Sequence, residues 1–128
     1  MSEPLTLRPI GVVRSPVTET REMPLQGCRA VLDILPECAP ALLGLEATSH
    51  LVVMGWLHLA DRNGLQSSAT KLDAQAPLRG VFATRSPSRP NPISLSVVRL
   101  LGREGTRLEV DHLDLVDGTL LVDVKPYA

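Results

Sequence analysis

Aromatic side chains are nearly absent from this 128-residue chain: Trp56, Phe82 and Tyr127 are all it has. A module that reads several bases by stacking them on a row of rings is therefore excluded, and any contact with a base must use hydrogen bonds, arginine planes or shape. Long apolar runs are missing too. The longest, residues 51–57, falls far below the roughly 20 residues that span a bilayer, so no membrane association is expected. The opening Met-Ser-Glu-Pro has no basic region leading into an apolar stretch, which reads as a cytoplasmic protein. Cys28 and Cys38 form no C-x-x-C pair and are expected as small buried hydrophobes in a reducing compartment. Neither G-x-G-x-x-G nor G-x-x-x-x-G-K-[ST] occurs, which excludes a Rossmann domain and a P-loop. His50, His58 and His112 lack metal-ligand spacing, so no metal site is expected.

The chain is long enough for one domain over residues 1–128 with an aliphatic core. Its net charge of -1 conceals an uneven distribution. Between Arg79 and Arg107 six arginines face the single acid Glu104, a local balance of +5 that leaves −6 elsewhere. All of these cations are arginines, whose planar fork grips phosphate or carboxylate through paired hydrogen bonds.

Apolar residues recur with period two or in short runs punctuated by Gly, Pro or Asp, which predicts strands over 7–14, 30–35, 50–57, 80–84, 93–101, 107–115 and 119–125. The run 50–57 shows no alternation and reads as a central strand covered on both faces. One short helix is expected where Pro40 precedes Ala41, Leu42, Leu45 and Glu46. Residues 60–77 form a long polar loop, the kind that tends to be functional. The fold class that follows is mainly β, a barrel or sandwich with one short helix. Asp117-Gly118 between two apolar runs predicts a tight hairpin joining the last two strands. The apolar phase slips by one between Val110 and Leu113, which predicts a bulge at Asp111-His112.

Chemistry concentrates in residues 82–96, FATRSPSRPNPISLS. Pro87, Pro90 and Pro92 stiffen this loop, which displays Arg85, Arg89 and Asn91 at low entropic cost to a ligand. His58, at the end of a predicted strand and just ahead of the long loop, is the histidine placed where function collects.

Residues 79–96, RGVFATRSPSRPNPISLS, closely resemble the signature of the TsaA-like family of TrmO-type enzymes. IGVVRSP at 10–16, GLE at 44–46, SHL at 49–51, LDLVDGT at 113–119 and DVKPY at 123–127 also match, in order and over nearly the whole chain. The resemblance implies a single-domain β-barrel that binds S-adenosylmethionine, typically as a homodimer, and methylates the exocyclic amine of threonylcarbamoyladenosine next to the anticodon of tRNA. It further implies cofactor contacts at Gln26, Gly27, Cys28, His58, Leu59, Arg85, Leu95, Asp117, Gly118, Thr119 and Leu120. Arg89 and Asn91 are the candidate substrate contacts, and Asp117 and His58 the candidate proton acceptors. Ser94 and Leu120 stand where the family usually has Gly and Pro. Two other readings remain open at this stage: a methyltransferase of this fold with a small-molecule acceptor, and a non-catalytic cofactor-binding module.

Overall fold

The computed structural model describes residues 3–68 and 73–127; part of the long polar loop, 69–72, lies outside the described residues. Six strands, β1 (Gly11–Arg14), β2 (Cys28–Ile34), β3 (His50–Trp56), β6 (Ser96–Glu104), β7 (Arg107–Leu113) and β8 (Leu120–Pro126), close into a barrel in the order β1-β2-β7-β6-β3-β8. Every neighbouring pair is antiparallel. β4 (Gln66–Ser67) and β5 (Arg79–Gly80) form a separate two-stranded ribbon. The barrel interior is filled by alternate residues of each strand: Val13, Leu32, Leu51, Val53, Leu108, Val110 and Leu121 are all fully buried. Aliphatic side chains of this size interdigitate without any ring, so a core with almost no aromatics still packs.

Four sequence expectations need correction. The strand at 50–57 is central in its pairing, flanked by β6 and β8, but it is not covered on both faces. Leu51, Val53 and Gly55 point into the core, whereas Val52, Met54 and Trp56 are half-buried on the outside. The period-two signal was hidden because both faces carry apolar residues. Residues 80–84 do not extend the barrel: only Arg79–Gly80 is strand, and Val81–Ala83 is a 3₁₀ turn that buries Val81. The expected helix is a 3₁₀ segment, Pro36–Leu42, separated from a second turn, Leu45–Ala47, by Gly44 at φ +86°. Pro40 inside it supplies no N–H, which prevents a regular α-helical ladder.

The last two strands do not pair. β7 is bonded to β2 and β6, and β8 to β1 and β3. The reason lies in Leu115 and Val116, which are both buried. Consecutive residues of a strand point to opposite faces, so Leu115 and Val116, buried in a row, do not continue the one-faced alternation of β7. This segment closes one end of the barrel and then turns at Asp117-Gly118, Gly118 adopting φ +84°. The turn docks on β1 and the chain just after it, where Asp117 N donates to Val17 O and Gly118 N to Val13 O, both at 2.8 Å. The two-residue hairpin is instead Gly105-Thr106, between β6 and β7. The expected bulge is present: Arg29 of β2 opposes both Asp111 and His112, and His112 takes φ +67°.

Candidate cofactor site

Antiparallel pairing all round the barrel places the C-terminal ends of β1, β3 and β7 and the N-terminal ends of β2, β6 and β8 at the same end. Every segment singled out from the sequence as a cofactor contact is attached to one of those ends. The β7 bulge pulls the β1–β2 loop close. A Cβ on Gly27, which adopts φ +74°, would lie 2.7 Å from backbone atoms of His112 and Leu113, so only glycine permits this approach. The approach sets Gln26 beside His112 in one cavity.

Two cavities open here. The smaller, about 240 Å³, is lined by Gln26, Arg85, Leu95, Ser96, His112 and Asp114. The larger, about 440 Å³, is lined by Thr20, His58, Leu59, Val116, Thr119 and again Asp114, among others. Gln26, Arg85 and Leu95 therefore meet in one cavity and His58, Leu59 and Thr119 in the other, with Asp114 in the wall of both. Asp114 was missed in the sequence. The alternation of Leu113, Asp114 and Leu115 was the available signal, since it turns Asp114 away from the two buried leucines that flank it. Ser96, itself buried, donates its hydroxyl to Asp114 Oδ1 at 2.6 Å.

The remaining expected contacts lie to either side. Asp117 Oδ1 accepts from Ser15 N at 3.0 Å and lines a separate hollow with Arg14, Ser15 and Arg29. Ser15 Oγ in turn lies 3.6 Å from Cys28 Sγ, so Asp117 and Cys28 are linked through one serine. Both cysteines are free thiols and half-buried. Leu120, 44% exposed, faces the outer wall, where it lines a groove with Trp56, Asn91 and Ile93.

The Pro-rich loop is held from both sides. Arg89 turns inward and donates from Nη1 to Thr84 O and Ser86 O, both at 3.1 Å, bracing its own loop. Arg62, another residue the sequence did not single out, stacks over Trp56 at 5.1 Å from the ring centroid. Its Nε donates to Pro90 O at 2.9 Å and its Nη2 to Asn91 Oδ1 at 3.2 Å. The loop after β3 then runs against the Pro-rich loop so closely that a Cβ on Gly64 would meet Ser88 O at 2.5 Å. Ser94, the departure from the family's glycine, accepts from Gly55 N through its hydroxyl at 2.9 Å and ties the loop back to β3.

The basic segment divides in the same way. Arg103 pairs with Glu46, and Arg107 lies 4.0 Å from Asp33; neither lines the two cavities. Arg85 stands exposed at the small cavity and, among the described residues, makes no ion pair. This donor set suits S-adenosylmethionine: the Arg85 fork for its carboxylate, Gln26 for polar edges, Leu59 and Val116 as an apolar wall, and Asp114 as an acceptor. Both volumes are in or near the ordinary range for small-molecule sites.

Comparison with known proteins shows the family. The sequence profile described as the tRNA-methyltransferase O N-terminal domain matches residues 12–128. The chain belongs to that family. A relative from Methanothermobacter thermautotrophicus, named a probable S-adenosyl-L-methionine-binding protein, is 43% identical over 127 residues, 96% of this chain and 90% of its own length. The Escherichia coli protein named tRNA (adenine(37)-N6)-methyltransferase is 39% identical over 92% of this chain. The crystal structure of TrmO from Pseudomonas aeruginosa superposes with a TM-score of 0.80 at 37% identity over 98% of this chain. The chain spans only 55% of the E. coli protein and 57% of the solved one.

Proposed function

We propose that this protein is an S-adenosylmethionine-dependent methyltransferase that methylates the exocyclic amine of threonylcarbamoyladenosine next to the tRNA anticodon. The observation that carries the reading is the convergence of Gln26, Arg85 and Leu95 with His58, Leu59 and Thr119 in two cavities sharing one wall. Membership of the tRNA-methyltransferase O family and the name of the E. coli relative support the choice of acceptor.

When bound, the cofactor supplies an electrophilic methyl group. The protein's part is positioning: holding nucleophile and methyl about 3 Å apart and in line contributes most of the acceleration. Arg85 anchors the cofactor carboxylate, the 3₁₀ turn and prolines keep that arginine on a rigid support, and buried Leu115 and Val116 floor the site.

The test incubates the protein with methyl-labelled S-adenosylmethionine and tRNA bearing or lacking the threonylcarbamoyl group. Label in the modified tRNA alone is expected, with affinity for tRNA falling steeply as salt rises because phosphate contacts release counterions. Label in neither tRNA, with cofactor binding demonstrated, overturns the reading.

A further inference from the structure

We propose that Asp114 is the proton acceptor of the methyl transfer, an assignment that rests on the methyltransferase reading above. Asp114 is the one carboxylate in the walls of both cavities, so it stands where groups held in the two meet. Its position is fixed twice over: buried Leu113 and Leu115 flank it, and the Ser96 hydroxyl holds Oδ1 at 2.6 Å. Among the described residues nothing else bonds the carboxylate and no cation pairs with it, which leaves Oδ2 for a ligand. Asp117 is placed otherwise. Its hollow shares no residue with either cavity. His58 lines the larger cavity only.

The chemistry requires such a base. As the acceptor nitrogen forms its bond to the methyl carbon, the carbon–sulfur bond breaks with its electron pair left on sulfur, and the nitrogen must shed its proton. That proton passes to Asp114 Oδ2, giving a neutral carboxylic acid that afterwards releases it to water. The other titratable groups facing the two cavities are Arg21, His58, Asp61, Arg85 and His112. Ser96 is a positioning residue: it aims the carboxylate and touches no reacting atom.

The experiment compares wild type with Asp114→Asn, which keeps an acceptor for the Ser96 hydroxyl and so preserves the fold, and with Asp114→Glu and Ser96→Ala. Calorimetry reads the Kd for S-adenosylmethionine, and label transfer to threonylcarbamoylated tRNA reads kcat. Asp114→Asn is expected to bind the cofactor within about threefold of wild type while kcat falls about 10²–10⁴-fold, the usual loss on removing a general base. Asp114→Glu should restore part of the rate, and Ser96→Ala should lower kcat by a smaller factor without moving the Kd. Wild-type turnover by Asp114→Asn overturns the assignment alone. So does a variant whose Kd rises tenfold or more while kcat at saturation is retained, because Asp114 is then a cofactor ligand. Wild-type protein that binds the cofactor but labels no tRNA overturns the parent reading instead, and the assignment with it.

Discussion

The barrel wall and the loop-bearing end of the same barrel are built on opposite terms. In the wall, Leu32, Leu51, Leu108 and Leu121 are wholly buried and each strand is bonded on both edges. At the end, Leu59 is 62% exposed and Arg85 open to solvent, and order comes from a few point contacts: Gly27 on the bulge, Gly64 on Ser88, Arg62 on Pro90. Burial supplies stability, whereas a site must keep surface and donors unpaired for its ligand. The two regions should therefore answer differently to substitution: the wall in stability, the end in binding.

The largest effect is expected in the wall. Leu108→Ala should cost about 2–5 kcal/mol, the range for a leucine removed from a closed core, read as a lower midpoint in denaturant unfolding with cofactor affinity of the folded protein unchanged. A loss in affinity larger than the loss in stability would break the separation. Gly27→Ala sits on the seam between the regions. Its Cβ has no room at 2.7 Å from backbone and its φ is +74°, so about 1–3 kcal/mol of stability and a clear loss of cofactor affinity should appear together. If only one of the two moves, the β1–β2 loop does not shape the cavity.

Arg85→Ala should show the pure behaviour of the end. Loss of one charge-assisted contact of about 1.5–3 kcal/mol corresponds to roughly a 10- to 100-fold rise in the cofactor Kd. Stability should stay within about 0.5 kcal/mol, as for surface substitutions generally.

The smallest effect concerns Glu46, an exposed carboxyl held below its ordinary value by a backbone hydrogen bond and by Arg103. A carboxylate with a depressed folded-state value stabilises above its unfolded value, and that contribution is lost as pH falls through the folded one. Glu46→Gln should thus slightly flatten the acid-side decline of stability and leave binding untouched; an unchanged slope would show that the pair contributes nothing measurable.

How much was legible in the sequence follows the same division. The barrel strands could be read because a wall with one buried face imposes period two, and the slip at Asp111-His112 stood out against that period as a bulge. Asp117-Gly118 misled because a turn residue pair specifies local backbone and says nothing about which strand the chain meets next; buried Leu115 and Val116 decided that. Trp56 and Met54, apolar on the outer face, hid the alternation of β3. At the candidate site, Arg85 and His58 were singled out from their segments, and each lines one of the two cavities. Asp114, Ser96 and Arg62 were not, since their roles arise from long-range contacts: Ser96 with Asp114, and Arg62 with Trp56, Pro90 and Asn91.

On the proposed function, the cofactor occupies the two cavities meeting at Asp114. Titration of the isotopically labelled protein with S-adenosylhomocysteine, followed through backbone amide chemical shifts, tests it most directly. The largest shifts are expected at Gln26, Gly27, His58, Leu59, Arg85, Leu95 and Asp114, with the outer-wall groove around Ile93 and Val122 little changed. Shifts concentrated in that groove, with Arg85 and Asp114 unmoved, would contradict it.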